Sequence, residues 1–338
     1  MPKTLPFGPA HGRMKVLVLR FSSIGDIVLT SPVLRCVKEQ VADVELHVAT
    51  KAAFVDLVRY DPHVHKVHEL GDDLGDLIHR LKAEGFQEVI DLHHNLRTAR
   101  IKRALGVPAH SFPKLNWEKW LLVNLHIDRL PRIHIVDRYL STVAHLGVRN
   151  DGKGTALHMP ANREVPLENL PTAHRAGYTA MAIGAAHATK RMPEHKLIEL
   201  ARSVEDPIVL IGGPQDAVVA QRIAHAIGGR VFDATGKYDL LGSASLIRQA
   251  RYVIAHDSGA MHMASAFQRP VMSLWGSTVP AFGMGPYLPQ HPERVHLAEV
   301  KGLGCRPCSK IGFEHCPKGH FKCMEDQDLR TIADLVNR

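Results

Sequence analysis

Short unbroken apolar runs alternate along this chain with stretches in which apolar residues recur every three or four positions. The run Val16 to Leu19 precedes a helical pattern predicted from Ile27 to Gln40. "VELHVAT" (44–50) precedes "KAAFVDLVRY", and "EVIDL" (88–92) precedes "RTARIKRAL". Apolar runs without an alternating polar face, each followed by an amphipathic helix, predict parallel strands covered on both sides. The prolines and mixed charges of "ANREVPLENLPTAH" interrupt the alternation and predict a linker over 161–177. It then restarts with strands predicted at 178–184, 207–213, 252–259 and 270–276, and with helices from about Pro193 and Asp216. The pattern predicts two consecutive doubly wound α/β domains, over 14–160 and 178–338, with a cleft between them. Residues 1–13 read as a disordered extension.

Ligands of such sheets bind beyond the carboxyl ends of the strands. Asp26, in "RFSSIGDIVLTSPVL", stands at one such end where a helix opens, and its carboxylate is either a helix cap or a base placed at a substrate. Asp257 holds the corresponding place in the second half, in "AHDSGAMHMASA". There Ser258 and Gly259 open a helix whose first amides and dipole suit a phosphate. Gly259 removes a side chain where a ligand could approach, and Asp257 could accept from sugar hydroxyls. The plainer reading is an Asp/Ser cap with His262 turned into the core, and both readings stay open at this point. Lys190, in a loop before the helix at Pro193, is either solvated or a clamp on a leaving diphosphate. Gly212 and Gly213 in "GGPQD" form a further strand-to-helix turn on the same side, as does "TGKYDLLGSASLI". Several such turns together favour a nucleotide-diphosphate site.

Composition adjusts this picture modestly. With 338 residues and 45% apolar content the chain can bury two cores, since single cores stop growing near ~250–300 residues. Lysine and arginine outnumber the acids 42 to 34, which suits an anionic substrate, a nucleic acid or an anionic membrane surface. Arg97, Arg100, Lys102 and Arg103 cluster behind a strand end, with Arg138 further on; they form either a solvated helix face or the acceptor side of the cleft. His93 and His94 read as structural. No run of ~18 apolar residues predicts a membrane span, and the N-terminus lacks the apolar core of a secretory signal. Residence in the cytoplasm is expected, with the five cysteines as thiols or metal ligands. Four of them, Cys305, Cys308, Cys316 and Cys323, crowd one segment with a single CxxC arm, an incomplete zinc pattern that leaves structural zinc open. "GVRNDGKGT" (147–155) nearly matches a P-loop, but Gly154 stands where a metal-holding Ser or Thr belongs, so a surface turn is expected. No strand is followed by GxGxxG, which gives a dinucleotide cofactor little support.

"SSIGDIVLTSPVL", "TKRMPEHKL", "GGPQD" and "HDSGAMH" followed by "RPVMSLWG" together resemble glycosyltransferase family 9, whose best-known members are lipopolysaccharide heptosyltransferases. The resemblance runs from Met14 over nearly the whole chain. It implies the GT-B fold of two facing Rossmann-like domains, and transfer with inversion from a nucleotide-diphospho-sugar, typically ADP-heptose. By motif, Asp26 matches the family's proposed catalytic base and Lys190 the lysine on the donor phosphates. Asp257, Ser258, Gly259 and His262 match the donor-binding motif, with serine in place of the usual threonine. Gly212 and Gly213 join the expected donor site, and Arg97, Arg100 and Arg138 the expected acceptor site. No DxD-like metal pair stands at a strand end, so a divalent ion need not be essential, and no cofactor beyond the donor is expected. The expected partners are the nucleotide sugar and an anionic glycolipid, met peripherally at the inner face of the cytoplasmic membrane, with no nucleic acid. The alternatives are a GT-B sugar-nucleotide epimerase and a non-catalytic nucleotide-sugar or polyanion binding protein.

Overall fold

The computed structural model describes residues 13–338, so the expected N-terminal extension lies outside the described residues except for Arg13. Residue contacts divide the chain into two compact units. The first holds the described residues up to Ser22 with Thr30–Pro113 and Val136–Asp151; the second holds Ser23–Leu29, Lys114–Ile135 and Gly152–Arg338. Each unit carries one all-parallel sheet.

In the first unit β1 (Met14–Leu19), β2 (Val44–Lys51), β3 (Lys66–Leu70), β4 (Glu88–Asp91) and β5 (Ala109–Ser111) lie in the order β3-β2-β1-β4-β5. The central β1 pairs with both β2 and β4, with Val16 opposite Leu46 on one side and Glu88 on the other. In the second unit β6 (Thr179–Ala182), β7 (Ile208–Ile211), β8 (Val231–Asp233), β9 (Tyr252–His256), β10 (Val271–Trp275) and β11 (Val295–Glu299) lie in the order β11-β10-β9-β6-β7-β8. The direction of winding reverses between β1 and β4 in one sheet and between β6 and β9 in the other. At such switch points the flanking crossover helices part and leave a crevice at the strand ends.

The cores are those of doubly wound sheets. Leu17, Leu19 and Val89 meet Leu77 and Leu81 of helix Leu74–Glu84 and Ile101 of helix Leu96–Leu105. Met181, Ile208 and Leu210 meet Leu197 and Leu200 of helix Glu194–Ser203 and Ile223 of helix Ala217–Ile227. The apolar runs identified β1, β2, β4, β6, β7, β9 and β10, which are the interior strands. The four strands they did not reveal, β3, β5, β8 and β11, are the four sheet edges. An edge strand has one unpaired side and tolerates charged and polar residues, as "KVHEL" and "VHLAE" show, so the unbroken apolar signal is lost there.

Two sequence expectations change in detail. The single helix predicted from Ile27 to Gln40 is two helices, Ile24–Val28 and Ser31–Gln40. Pro32 has no N–H to continue the ladder, and it sits comfortably only in the first turn of the second helix. The stretch read as a linker, 161–177, holds the short helical turns Ala161–Arg163, Leu167–Asn169 and Thr172–Arg175. The near P-loop is a turn: Gly147 ends a 3-10 helix in the left-handed region, Gly152 and Gly154 also have positive φ, and no helix opens after them.

Candidate active site

The site grows from the switch point of the second sheet. After β6 the chain makes a 3-10 turn, Ala188–Lys190, and after β9 it passes Asp257 into helix Gly259–Ala266. Lys190 Nζ lies 2.6 Å from Asp257 Oδ2, both side chains being mostly buried. The same oxygen accepts from Thr278 Oγ1 at 2.7 Å, just beyond β10. The buried His256 reaches back from the end of β9, and its Nε2 accepts the Met192 N–H at 2.9 Å. That bond fixes the lysine-bearing loop. Burial pushes the His256 imidazole down to about 4, so it stays neutral and able to accept.

Ser258 caps helix Gly259–Ala266 in extended conformation, and its buried Oγ has no hydrogen-bond partner. The amides of the first turn have no partner within the helix either. A hydroxyl and several N–H groups therefore open beside the Lys190–Asp257 pair, the donor set that an anionic oxygen requires.

Helix Ile24–Val28 packs on this helix, within the same unit. The approach depends on two glycines. A Cβ on Gly259 would stand 2.7 Å from Ile24 Cγ2, and a Cβ on Gly25 would enter the His262 ring. The space expected at Gly259 for a ligand is thus taken by Ile24, because the two helices touch there. Asp26 is in the third position of its helix, where Oδ2 accepts from the Ser23 N–H at 3.2 Å and Ser23 Oγ at 2.9 Å. It caps the helix while its charge acts on His262. That imidazole is pushed down to about 4, chiefly by burial, against the pull of Asp257 and Asp26 and with some help from Lys190. Asp26, His262, Asp257 and Lys190 form one neighbourhood.

Gly212 and Gly213 follow β7, where their missing side chains leave room for neighbouring ones. A Cβ on Gly212 would stand 2.9 Å from the Asp216 carboxylate and one on Gly213 would meet Gln215. Asp216 Oδ2 accepts the Gly213 N–H at 2.9 Å, and Arg191, next to Lys190, lies 3.6 Å from Asp216 Oδ1. The "GGPQD" turn thus braces the lysine loop.

Residues that sequence reasoning missed tie the cysteine-rich segment to the site. The Arg306 side chain is nearly buried and donates to the carbonyls of Gly276 at 2.6 Å and Thr278 at 2.9 Å while pairing with Glu299 at 2.7 Å. Thr189 Oγ1 accepts from Ser277 Oγ at 2.9 Å and from the Phe313 N–H at 2.7 Å. Thr278 and His256 adjoin strand ends and could have been found by counting from them; Arg306 and Thr189 act through chain-distant contacts with no sequence signature. The Cys308 and Cys323 thiols are pushed up to about 11 and about 12, first by burial and then by neighbouring cysteines. Cys305 Sγ lies 3.8 Å from His320 Nε2.

The basic residues of the first unit do not form one face. Arg97 lies over the Phe21 ring at 5.5 Å. With Arg100, Lys51, Leu74 and Leu96 it lines a cavity of about 590 Å³ at the carboxyl ends of β2 and β3. Arg138 is only 4% exposed and lies within helix Ile135–Leu140, so it adds nothing to a basic surface. Lys102 pairs at 2.8 Å with the wholly buried Asp91. Burial would raise that carboxyl, but Lys102 and the His94 amide hold it below its usual value. His93 and His94 serve the same turn, their amides donating to Asp91 Oδ1.

Two parallel sheets of this topology, with a phosphate-suited helix terminus after the fourth strand of the second, are those of the GT-B fold, and solved structures agree. The Veillonella parvula family 9 glycosyltransferase superposes with a TM-score of 0.75 at 21% identity, covering 96% of this chain and 97% of that one. The Escherichia coli heptosyltransferase WaaC with ADP gives 0.66 at 21%, over 84% and 92%. The chain belongs to glycosyltransferase family 9 (heptosyltransferase), whose profile it matches over residues 74–310. It is similar to lipopolysaccharide heptosyltransferase 2 of Escherichia coli, with 22% identity over 96% of this chain and 98% of that protein. It is a glycosyltransferase enzyme. Among the described residues no helix is long and apolar enough to cross a membrane.

Proposed function

We propose that this enzyme moves a heptose, with inversion, from an ADP-heptose-like nucleotide-diphospho-sugar to the lipopolysaccharide core or a related anionic glycolipid. The observation that carries the reading is the Lys190–Asp257–Thr278 cluster beside the unpartnered Ser258 hydroxyl, with Asp26 on the helix packed against it. The relative WaaC was solved with ADP, which agrees in class with a diphosphate at this helix terminus.

In such a transfer the acceptor oxygen attacks the anomeric carbon as the bond to the diphosphate breaks. Asp26 takes the acceptor hydroxyl proton, and its fixed position in the helix cap keeps the carboxylate aimed. Charge gathers on the departing diphosphate, where Lys190, Ser258 Oγ and the first-turn amides stabilise it. Asp257 accepts from donor sugar hydroxyls and keeps Lys190 extended. Gly259 and Gly25 let the two helices approach, with the His262 ring filling the space beside Gly25, and Gly212 and Gly213 set the brace behind Lys190. These groups supply the needed charge without a cofactor beyond the donor.

On the acceptor side, Arg97 and Arg100 at the mouth of an apolar-walled groove suit a lipid-linked glycan bearing phosphates or carboxylates. Arg138, buried, would act there only by supporting its own helix. Peripheral membrane contact is supported by helix Asn116–Leu125, where Trp117 and Trp120 stack at 5.2 Å and remain 64% and 46% exposed. Indoles exposed in this way favour a membrane–water interface, and sedimentation with anionic vesicles tests the contact.

The deciding experiment incubates the protein with ADP-heptose, with and without a heptose-deficient core acceptor, and follows ADP and sugar. Acceptor-dependent ADP release with an inverted linkage is the expected result. ADP and altered free sugar without acceptor would mark an epimerase, and binding without turnover would mark a non-catalytic protein.

A further inference from the structure

Away from the strand ends that bear the candidate site, three donor atoms of the first unit converge. Glu88 opens β4, His110 lies in β5, and His145 lies in the 3-10 helix Ser141–Leu146 that packs on both strands. The two imidazole rings stack with centroids 3.8 Å apart and planes 20° from parallel. Both present Nε2 to one carboxylate oxygen, Glu88 Oε1, His145 at 2.6 Å and His110 at 3.6 Å. All three atoms fall within 4.8 Å of one another.

As a salt bridge this arrangement is poor. Glu88 is only 4% exposed. Its Oε1 is buried, yet despite the short approach of His145 the alignment gives it no hydrogen-bond partner. Leaving a buried carboxylate oxygen without a hydrogen bond is costly. Two stacked imidazoles cannot both be charged to relieve it without repelling each other. A cation between the three atoms removes both difficulties, since neutral imidazoles and an ionised carboxylate are the protonation states a metal requires.

We propose that Glu88, His110 and His145 bind a divalent cation of the zinc class. Ligand distances of about 2.0–2.2 Å in a tetrahedral site place donors roughly 3.3 Å apart; the observed separations of 2.6 and 3.6 Å lie near that value, and the stacked rings, 20° from parallel, turn and part on binding so that both Nε2 lone pairs point at the ion. Two nitrogens and one carboxylate select a borderline metal such as Zn²⁺ or Co²⁺ over Mg²⁺ or Ca²⁺, which take oxygen ligands. His110 and His145 are 40% and 37% exposed, so the ion can enter from solvent and keep a water as fourth ligand. The site would staple the edge strand β5 and the 3-10 helix to β4, far in role from the transfer chemistry.

The test uses the full chain stripped of metal, in a Cys305→Ser/Cys308→Ser background that removes competing thiolates. Calorimetry and visible absorption follow added Co²⁺. One equivalent bound with nitrogen–oxygen spectra and no thiolate charge-transfer band is expected. His145→Asn and Glu88→Gln should each weaken it by at least about 10–100-fold, the cost of disturbing even a supporting partner of a metal. Added Zn²⁺ should raise the melting temperature of the parent but not of these variants. In the same background, with Glu88 and both histidines unaltered, one equivalent of Co²⁺ should shift the ring protons of His110 and His145 in a histidine-labelled sample. Absence of that shift, or equal binding by parent and variants, overturns the proposal, and neither result bears on the transfer reaction.

Discussion

Lys190 and Asp257 join the ends of β6 and β9 through a 2.6 Å contact, so the switch point of the second sheet is bridged by a cation and a carboxylate. Because Thr278 and the His256–Met192 bond hold the two sides, the lysine is ordered before any anion arrives. Lys190→Ala should therefore cost both ADP affinity and turnover. The loss of one charged hydrogen bond, about 1.5–3 kcal/mol, corresponds to a weakening of roughly 10–150-fold. Calorimetry with ADP and steady-state kinetics measure the two effects, and unchanged values in both would remove Lys190 from the donor site.

Asp26 accepts from Ser23 as a cap, and asparagine retains an oxygen for that bond. Asp26→Asn should leave the melting temperature and ADP affinity nearly as they are while lowering turnover by about 10²–10⁴, the usual worth of a positioned base. Near-normal turnover would reduce Asp26 to a helix cap.

Gly25 has the His262 ring where a side chain would go. Gly25→Ala should destabilise the protein by about 1–3 kcal/mol, the range for overpacking, and should lower turnover by moving the helix that carries Asp26. Gly71→Ala is the control, because nothing lies within 4 Å of its added carbon. Equal urea midpoints for the two variants would contradict the close packing of these helices.

His256 and His262 both have folded-state values near 4 against 6.5 for the free side chain, and both are lowered by burial. The unfolded chain binds their protons first, so stability is complete above about pH 6.5 and falls as pH drops toward 4. By pH 5 the loss should be roughly 2 kcal/mol for each histidine. His256→Gln, which keeps an acceptor for the Met192 amide without titrating there, should flatten that slope in urea unfolding between pH 7 and 5. An unchanged slope would show that His256 is protonated alike in both states.

Arg97 and Arg100 line the groove of the first unit, where exposed charges are screened beyond a Debye length of ~8 Å at physiological salt. The double change Arg97→Gln/Arg100→Gln should raise the acceptor KM at low salt and leave ADP affinity unaltered. Equal effects on both constants would place the acceptor elsewhere.

The interior strands were legible in the sequence because burial on both faces imposes an unbroken apolar run, as in "PIVLIGG" and "PVMSLWG". Edge strands such as β11, with His296 and Glu299, carry no such demand. Asp257 and Ser258 were legible for a related reason, since they directly follow a legible strand. The pairing of Lys190 with Asp257 was not, because it depends on which strands are neighbours and not on their sequence order. Arg138 shows the opposite failure: its charge suggested a surface, but a guanidinium can be buried in a helix, and composition does not record where it points.

The second unit is discontinuous in the chain, since Ser23–Leu29 belongs to it although it follows β1 directly. Gly25 and Gly259 have therefore to match each other across more than two hundred positions. Hybrid enzymes made by joining the front half of one relative to the back half of another would separate that matched pair, whichever crossover point was chosen between the halves. A graft that carries the seven residues Ser23–Leu29 along with the back half would keep it, and would be the rational unit of exchange when donor preference is to be transplanted.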